Sequence, residues 1–232
     1  GPLTAAAGGR IPGGRGGPTA AGLWRARRPL VRGIVMLTLA VAFAASTATF
    51  NATYRRQAEV DAALTNGAHV TVTATSPLPA AVTTQLTAVP GVRAVEPMAH
   101  RFAYTDNDLQ DLYGIQPDTI TRATALQDAY FPQSGAAAAM RTLVSTPDAI
   151  LLSAETVHDF QLQPGGPVTL RLVDPTTAQP RPITFRYAGV VTEFPTAPKD
   201  SFLVANADYL AAHTGTPARN VYLVDTVGRD TA

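Results

Sequence analysis

The longest apolar stretch runs from Gly33 to Tyr54, GIVMLTLAVAFAASTATFNATY, 22 residues without a charge. A helix needs about 20 residues, at a rise of about 1.5 Å each, to cross the hydrocarbon core of a bilayer, so this stretch predicts a membrane-spanning helix. Its first half is strongly apolar and its second is rich in Ala, Ser and Thr. Small residues let helices approach closely, so the second half predicts packing against further membrane helices outside this chain. The helical pattern continues through Arg55–Leu64 with no Pro or Gly before Gly67. The membrane helix is therefore expected to project beyond the bilayer as a stiff stalk and to end at Gly67.

From Ala68 the period changes to two. His69–Thr75 alternates and is rich in β-branched residues, which predicts a strand. Further strands are predicted at Val92–Pro97, Arg101–Tyr104, Asp111–Ile115, Ala149–Ser153, Val168–Val173, Ile183–Thr192, Phe202–Ala205 and Asn220–Asp225. Short helices are predicted over Pro79–Val89, Pro117–Leu126, Ala136–Leu143, Ala154–Phe160 and Asn206–His213. Turns fall at Pro90-Gly91 and Gly165-Gly166, and a loop at Asp174–Pro180. Short strands mixed with short helices mean an α+β domain, and the sequence shows no internal repeat.

Charge sharpens the division. Residues 1–32 carry Arg10, Arg15, Arg25, Arg27, Arg28 and Arg32 and no acid, whereas residues 55–232 hold the other twelve of the 18 basic side chains against all 17 acidic ones, a net charge of −5. Basic residues collect on the cytoplasmic side of membrane helices, which places the N-terminus in the cytoplasm of a cell membrane and the acidic domain outside. Trp24, among arginines, suits the headgroup layer. Residues 1–28 are Gly-, Pro- and Arg-rich and are read as disordered; residues 29–66 are read as membrane helix and stalk, and residues 67–232 as the extracytoplasmic domain. The competing reading is a cleaved leader, with Arg27-Arg28 before the apolar run and Ala42-Phe43-Ala44 as the cleavage pattern. The length of the run and the unbroken helical pattern beyond it favour an uncleaved helix. One lysine, Lys199, stands beside 17 arginines, a bias of GC-rich, for example actinobacterial, genomes.

The side-chain chemistry excludes several classes. With no cysteine there are no disulfides, thiolate metal sites or cysteine nucleophiles. A mildly acidic body lacks the clustered basic face of a nucleic-acid binder. No phosphate-loop pattern occurs, and the glycines around Gly13–Gly17 follow no strand. His69, His100, His158 and His213 form no paired-ligand motif. Asp106, Asp108 and Asp111 are the densest acidic cluster; a calcium loop would want Gly at Asp111 and Glu at Pro117, so a solvated turn is expected. Ser153 is read as a helix cap rather than a nucleophile. Phe131-Pro132 and Phe194–Lys199 are candidate loops for contact with a partner or for covering the domain's own core. No catalytic, cofactor-binding or metal-binding residue is assigned, and the chain is not read as an enzyme.

The order of these pieces resembles the FtsX-like permease family of ABC transporters, including the MacB-type permeases with their periplasmic core domain. The resemblance rests on Leu86-Thr87-Ala88-Val89-Pro90-Gly91-Val92-Arg93-Ala94-Val95-Glu96-Pro97, on Ala149–Leu172 with its Leu162–Leu170 turn region, and on Phe185–Val191, over roughly residues 30–226. Family members often carry Gly-Asp where this chain has Gly165-Gly166. The resemblance implies a permease subunit, here a fragment truncated after its last strand. Its partners would be a separate ATPase subunit that binds the ATP, other permease helices or a second permease copy, membrane lipid, and an extracytoplasmic substrate or protein. Movement of the membrane helices, driven by ATP hydrolysis, would be passed through the stalk to the outer domain for export or extraction of a substrate. The alternatives are a membrane-anchored or secreted binding or scaffold domain, and a secreted enzyme.

Overall fold

In a computed structural model the described residues are 17–174, 179–197, 200–217 and 219–227, with backbone alone described for 17–27 and Ala63. The chain divides into two compact units, Gly1–Gln57 and Ala58–Ala232.

Among its described residues the first unit is helical. Helix α1, Gly17–Asn66, begins well before residue 29, where the sequence pattern set its start, and runs through Pro29. Residues 1–16 of the segment read as disordered lie outside the described residues. Within α1, Arg28–Asn66 is long and apolar enough to cross a membrane by length and composition, with a mean hydropathy of 1.9 over its most apolar part. Thr38 and Thr49 donate their hydroxyls to the carbonyls of Ile34 and Ala45, at 2.8 and 2.9 Å. This removes the cost of placing these two hydroxyls bare in hydrocarbon.

The second unit is built on a sheet of eight strands among the described residues, in the order β1-β8-β2-β3-β7-β4-β6-β5. The strands are β1 Val70–Leu78, β2 Val92–Thr105, β3 Asp108–Ile115, β4 Ala149–Ser153, β5 Pro167–Val173, β6 Pro180–Val191, β7 Phe202–Asn206 and β8 Arg219–Thr226. A further pairing, Ala103 with Leu172 and Tyr104 with Arg171, joins β5 back to β2. The six strands β2, β3, β7, β4, β6 and β5 therefore close into a ring, with β8 and β1 extending from the first half of β2. Within the ring, closure removes the exposed edges that invite aggregation, and β1 remains the edge of the extension.

The sequence pattern of each strand follows from where it sits in this ring. β5 and β6 alternate strictly, with Val168, Leu170, Leu172, Ile183, Phe185 and Tyr187 buried inside and the intervening residues exposed. β4 and β7 are apolar throughout because both faces are covered. Ile150, Leu152, Leu203 and Ala205 face the ring interior, and Ala149, Leu151, Phe202 and Val204 join an outer core with helix α3, Ala136–Ser145. Helix α2, Ala81–Thr87, contributes Val82 and Leu86 to a third cluster over Val95, Tyr222 and Val224. Ser153 caps helix α4, Ala154–Asp159, accepting from the Thr156 amide at 3.2 Å. Asn206 likewise caps helix α5, Ala207–Thr214.

Two elements differ from the sequence reading. The two strands expected at 92–97 and 101–104 are one 14-residue strand. Pro97 lies beside the point where β2 changes partner from β8 to β3, so its missing N–H interrupts neither ladder for long. The helix expected over Pro117–Leu126 is a single 3₁₀ turn, Ile120–Arg122. The segment is rich in β-branched residues, Ile120 is drawn fully into the core, and the Thr119 hydroxyl is taken by Glu96 at 2.7 Å.

Glu96 is 4% exposed. Burial pushes its carboxyl above the ordinary value of 4.5, opposed by the Thr119 hydroxyl and the Arg122 charge, with Asp118 raising it further. The folded state thus holds this proton more tightly than the unfolded chain does. Its contribution to stability is full below the ordinary carboxylate range and declines as pH rises through the raised value. Glu96→Gln, whose amide oxygen still accepts from Thr119, is expected to flatten that decline and to be the more stable protein at neutral pH. Parallel melting curves from pH 4 to 8 are the check, and two curves of identical slope would sink the assignment.

Candidate functional site: the clasp at the base of the helix

A helix leaves its last carbonyls without partners. At the end of α1 the sheet domain supplies them. The Thr196 amide donates to the Leu64 carbonyl at 3.0 Å, and the Thr71 hydroxyl donates to the Asn66 carbonyl. Gly67 stops the helix in the left-handed region, at φ +74°. The position admits no side chain. A Cβ there would meet the Thr196 methyl at 2.8 Å, Leu223 at 3.1 Å and Pro195 at 3.2 Å. Leu64 and Ala68 pack on the outer core shared by α3, β4 and β7.

The other half of the clasp is the loop between β6 and β7. Phe194 and Pro195 are buried, and the Phe194 ring lies 6.2 Å from Tyr113. Of the two readings open for this loop, the described part covers the domain's own core; Pro198 and Lys199 lie outside the described residues. Phe131 is buried in the same way while Pro132 stays exposed. Thr196 carries the strain. It is β-branched, yet sits at φ +67°, a conformation such residues rarely adopt and one that costs about 1–3 kcal/mol. Its hydroxyl is also buried, with no hydrogen-bond partner among the described residues. Both costs fall on the residue whose amide holds Leu64 and whose carbonyl accepts from the Tyr113 hydroxyl at 3.2 Å. Burial and the Asp111 charge push the Tyr113 hydroxyl above its ordinary pKa, so it remains a donor at all physiological pH. Tyr113 stacks on His100 at 4.8 Å, and His100 Nε2 lies 2.5 Å from Asp111. A connected set of contacts therefore runs from the last turn of α1 through Thr196 and Tyr113 to the middle of the sheet.

Beside the clasp lies an open cavity of about 810 Å³ lined by Leu64, Gly67, His69, Arg93, Tyr130 and Pro195 among others. Asp225 closes one side, 2.9 Å from His69 Nδ1 and 3.3 Å from the Arg93 guanidinium. These contacts tie His69, two residues past the helix stop, to β8 and β2.

The other residues singled out in the sequence are dispersed. Asp106 and Asn107 form the two-residue turn between β2 and β3, Asp106 at φ +55°. Asp108 pairs with Thr105 and Asp111 with Phe102, so the two carboxylates lie on opposite faces of the sheet. Among the described residues no three metal-ligating side chains converge. His213 Nδ1 bonds the Tyr209 carbonyl at 2.9 Å, and His158 sits in the last turn of α4. The side chain of Trp24 lies outside the described residues. The sequence reading placed Gly67 correctly as the helix stop and singled out Phe194–Lys199, but not their meeting. Thr196 has no sequence signature, because nothing in Pro-Thr-Ala-Pro marks a threonine for a glycine-like conformation.

No family model and no curated protein matches the chain. Solved structures do. The extracellular domain of the ABC-type transporter YknZ from Gram-positive bacteria is 17% identical, with a TM-score of 0.42, over 66% of this chain and 75% of that one. The periplasmic region of MacB from Actinobacillus actinomycetemcomitans is 11% identical, with a TM-score of 0.38, over 69% and 75%.

Proposed function

We propose that this chain is the anchor helix and extracytoplasmic domain of an ABC-transporter permease. Its N-terminus lies in the cytoplasm, α1 crosses the membrane, and the sheet domain stands outside. ATP is bound and hydrolysed by a separate ATPase subunit, and further permease helices or a second copy pack against the Ala/Ser/Thr-rich half of α1. The observation that carries the reading is α1 itself. It runs as one helix from the apolar stretch to Asn66, where both of its terminal carbonyls discussed above are bonded by the domain. The bonded end of the helix is where movement of the helix would enter the domain. The strained Thr196 supports the same reading, since strain of this kind collects where a geometry is functionally required.

The test has two stages. The natural full-length product is identified by mass spectrometry on washed membranes of its own cells. An intact Gly33–Tyr54 segment co-purifying with an ATPase is expected; a soluble product beginning near Ala45 would replace the permease by a secreted binding domain. Gly-Gly is then inserted beside Ala62 in the full-length protein. The insertion adds two poor helix formers just before the clasp. Transport is expected to fall to the level of an ATPase-dead control while membrane insertion and assembly persist. Unchanged transport would remove the stalk from the mechanism.

A further inference from the structure

The sheet domain exposes eight large hydrophobic side chains among the described residues outside α1, and four of them, Phe102 (56%), Tyr104 (37%), Leu109 (48%) and Val173 (50%), share one face. Strand register shows why. Tyr104 pairs with Leu109 on one side and Arg171 on the other, and Arg171 pairs with Pro182. In the next row Phe102 pairs with Asp111, Val173 with Pro180, and the β2–β5 register continued by one residue sets Phe102 opposite Val173. Paired residues on neighbouring strands point to the same face, and here it is the outer one, because Ala103, Leu112, Leu170, Leu172 and Ile183 between them fill the ring. The patch is four strands wide, and the exposed Pro180 and Pro182 continue it.

Near its centre is Arg171, exposed, with its guanidinium 5.6 Å from the centre of the Tyr104 ring and bonded to the Asp106 carbonyl. An arginine laid on an aromatic ring and surrounded by apolar side chains has the composition of a binding hot spot. We infer that this face, Phe102–Tyr104–Leu109–Val173 around Arg171, docks a second protein that presents a carboxylate within an apolar stripe.

Three observations select that occupant. β2 is paired on both sides at Ala103 and Tyr104, and β5 lies between β2 and β6. The partner therefore engages side chains and cannot add a strand. Arg171 lies near the middle of the patch, so an isologous pairing of two copies centred there sets guanidinium against guanidinium, a like-charge contact that disfavours self-association. The two rows hold a single cation, Arg171, whereas an anionic lipid surface is met by clustered lysines and arginines. A carboxylate is the group whose geometry matches a guanidinium, and an amphipathic helix supplies it within an apolar stripe.

The experiment places a photoreactive phenylalanine analogue at Leu109 or Phe102 of the natural full-length protein in its own cells, with Gln85 on α2 as the control position. The expected result is one adduct with a different protein at both patch positions and none at Gln85, the cross-linked peptide carrying Asp or Glu flanked by apolar residues. Arg171→Glu is expected to lower the adduct yield about tenfold or more with near-ultraviolet circular dichroism unchanged. Arg171→Gln, without the reversed charge, is the second variant should Arg171→Glu disturb the fold, and it is expected to lower the yield in the same direction. The inference is overturned by the absence of an adduct, by an adduct with lipid or with a second copy, by a cross-linked peptide lacking a carboxylate, or by a yield indifferent to both variants. It does not depend on the transporter reading.

Discussion

Phe185→Ala lowers the unfolding free energy of the sheet domain by about 3–5 kcal/mol, the range for an aromatic ring removed from a core that collapses only partly around the gap. Phe185 lies inside the closed ring, 1% exposed, directly across from Val168, with its ring 5.2 Å from Tyr209 on α5. Tyr209 is in turn held by its hydroxyl, which donates to the Thr184 carbonyl at 2.8 Å. The wall around Phe185 is made of paired strands, so it cannot move inward without breaking ladder hydrogen bonds. Domains of this size are stable by about 5–15 kcal/mol, so the loss is a large share of the total. Urea denaturation of the full chain in detergent, followed by the near-ultraviolet signal of its tyrosines, measures it. Thr169→Ala, on the exposed face of β5, is the companion variant, expected to change stability by no more than about 0.5 kcal/mol apart from its weak contact with Thr184. A loss below about 1 kcal/mol for Phe185→Ala would mean that the ring interior is not packed as described.

Gly67→Val has the second large effect, about 3 kcal/mol or more, from two sources that add. A β-branched residue is forced to φ +74°, and its Cβ alone would press on Thr196, Leu223 and Pro195 at 2.8–3.2 Å. Gly165 separates the two sources. It also has a positive φ, +79°, but a Cβ there meets nothing within 4 Å. Gly165→Val should therefore cost only the backbone part, about 1–2 kcal/mol. The site-specific readout is hydrogen exchange at the Thr196 amide, which is protected by the Leu64 carbonyl at 3.0 Å. Gly67→Val should release that amide and Gly165→Val should leave it protected. Equal losses in the two variants would mean that the helix end does not rest on the 194–197 loop.

The sequence alone determined every element governed by local periodicity or local chemistry. The apolar run Gly33–Tyr54 lies within one helix, and the stop at Gly67 is where a residue free to take positive φ was needed. The strands at β4, β5, β6 and β7 were legible as strands, and their burial explains their patterns, since β5 and β6 have one face toward water and β4 and β7 are covered on both. Ser153 was legible as a cap because its hydroxyl acts within three residues.

What the sequence left open depends on partners far along the chain. Ring closure rests on the pairing of β5 with β2, Tyr104 with Arg171, which no local pattern announces. The joining of β2 past Pro97 depends on its change of partner from β8 to β3. The failure of helix 117–126 depends on the burial of Ile120 and on the hold of Glu96 on Thr119. The clasp is the clearest case. Its two halves, Leu64–Gly67 and Phe194–Ala197, lie some 130 residues apart in the sequence, and the strain on Thr196 exists only once they meet. Local propensity acts within a few residues, whereas a conformation that a residue avoids by itself is held only by the packing of the finished fold.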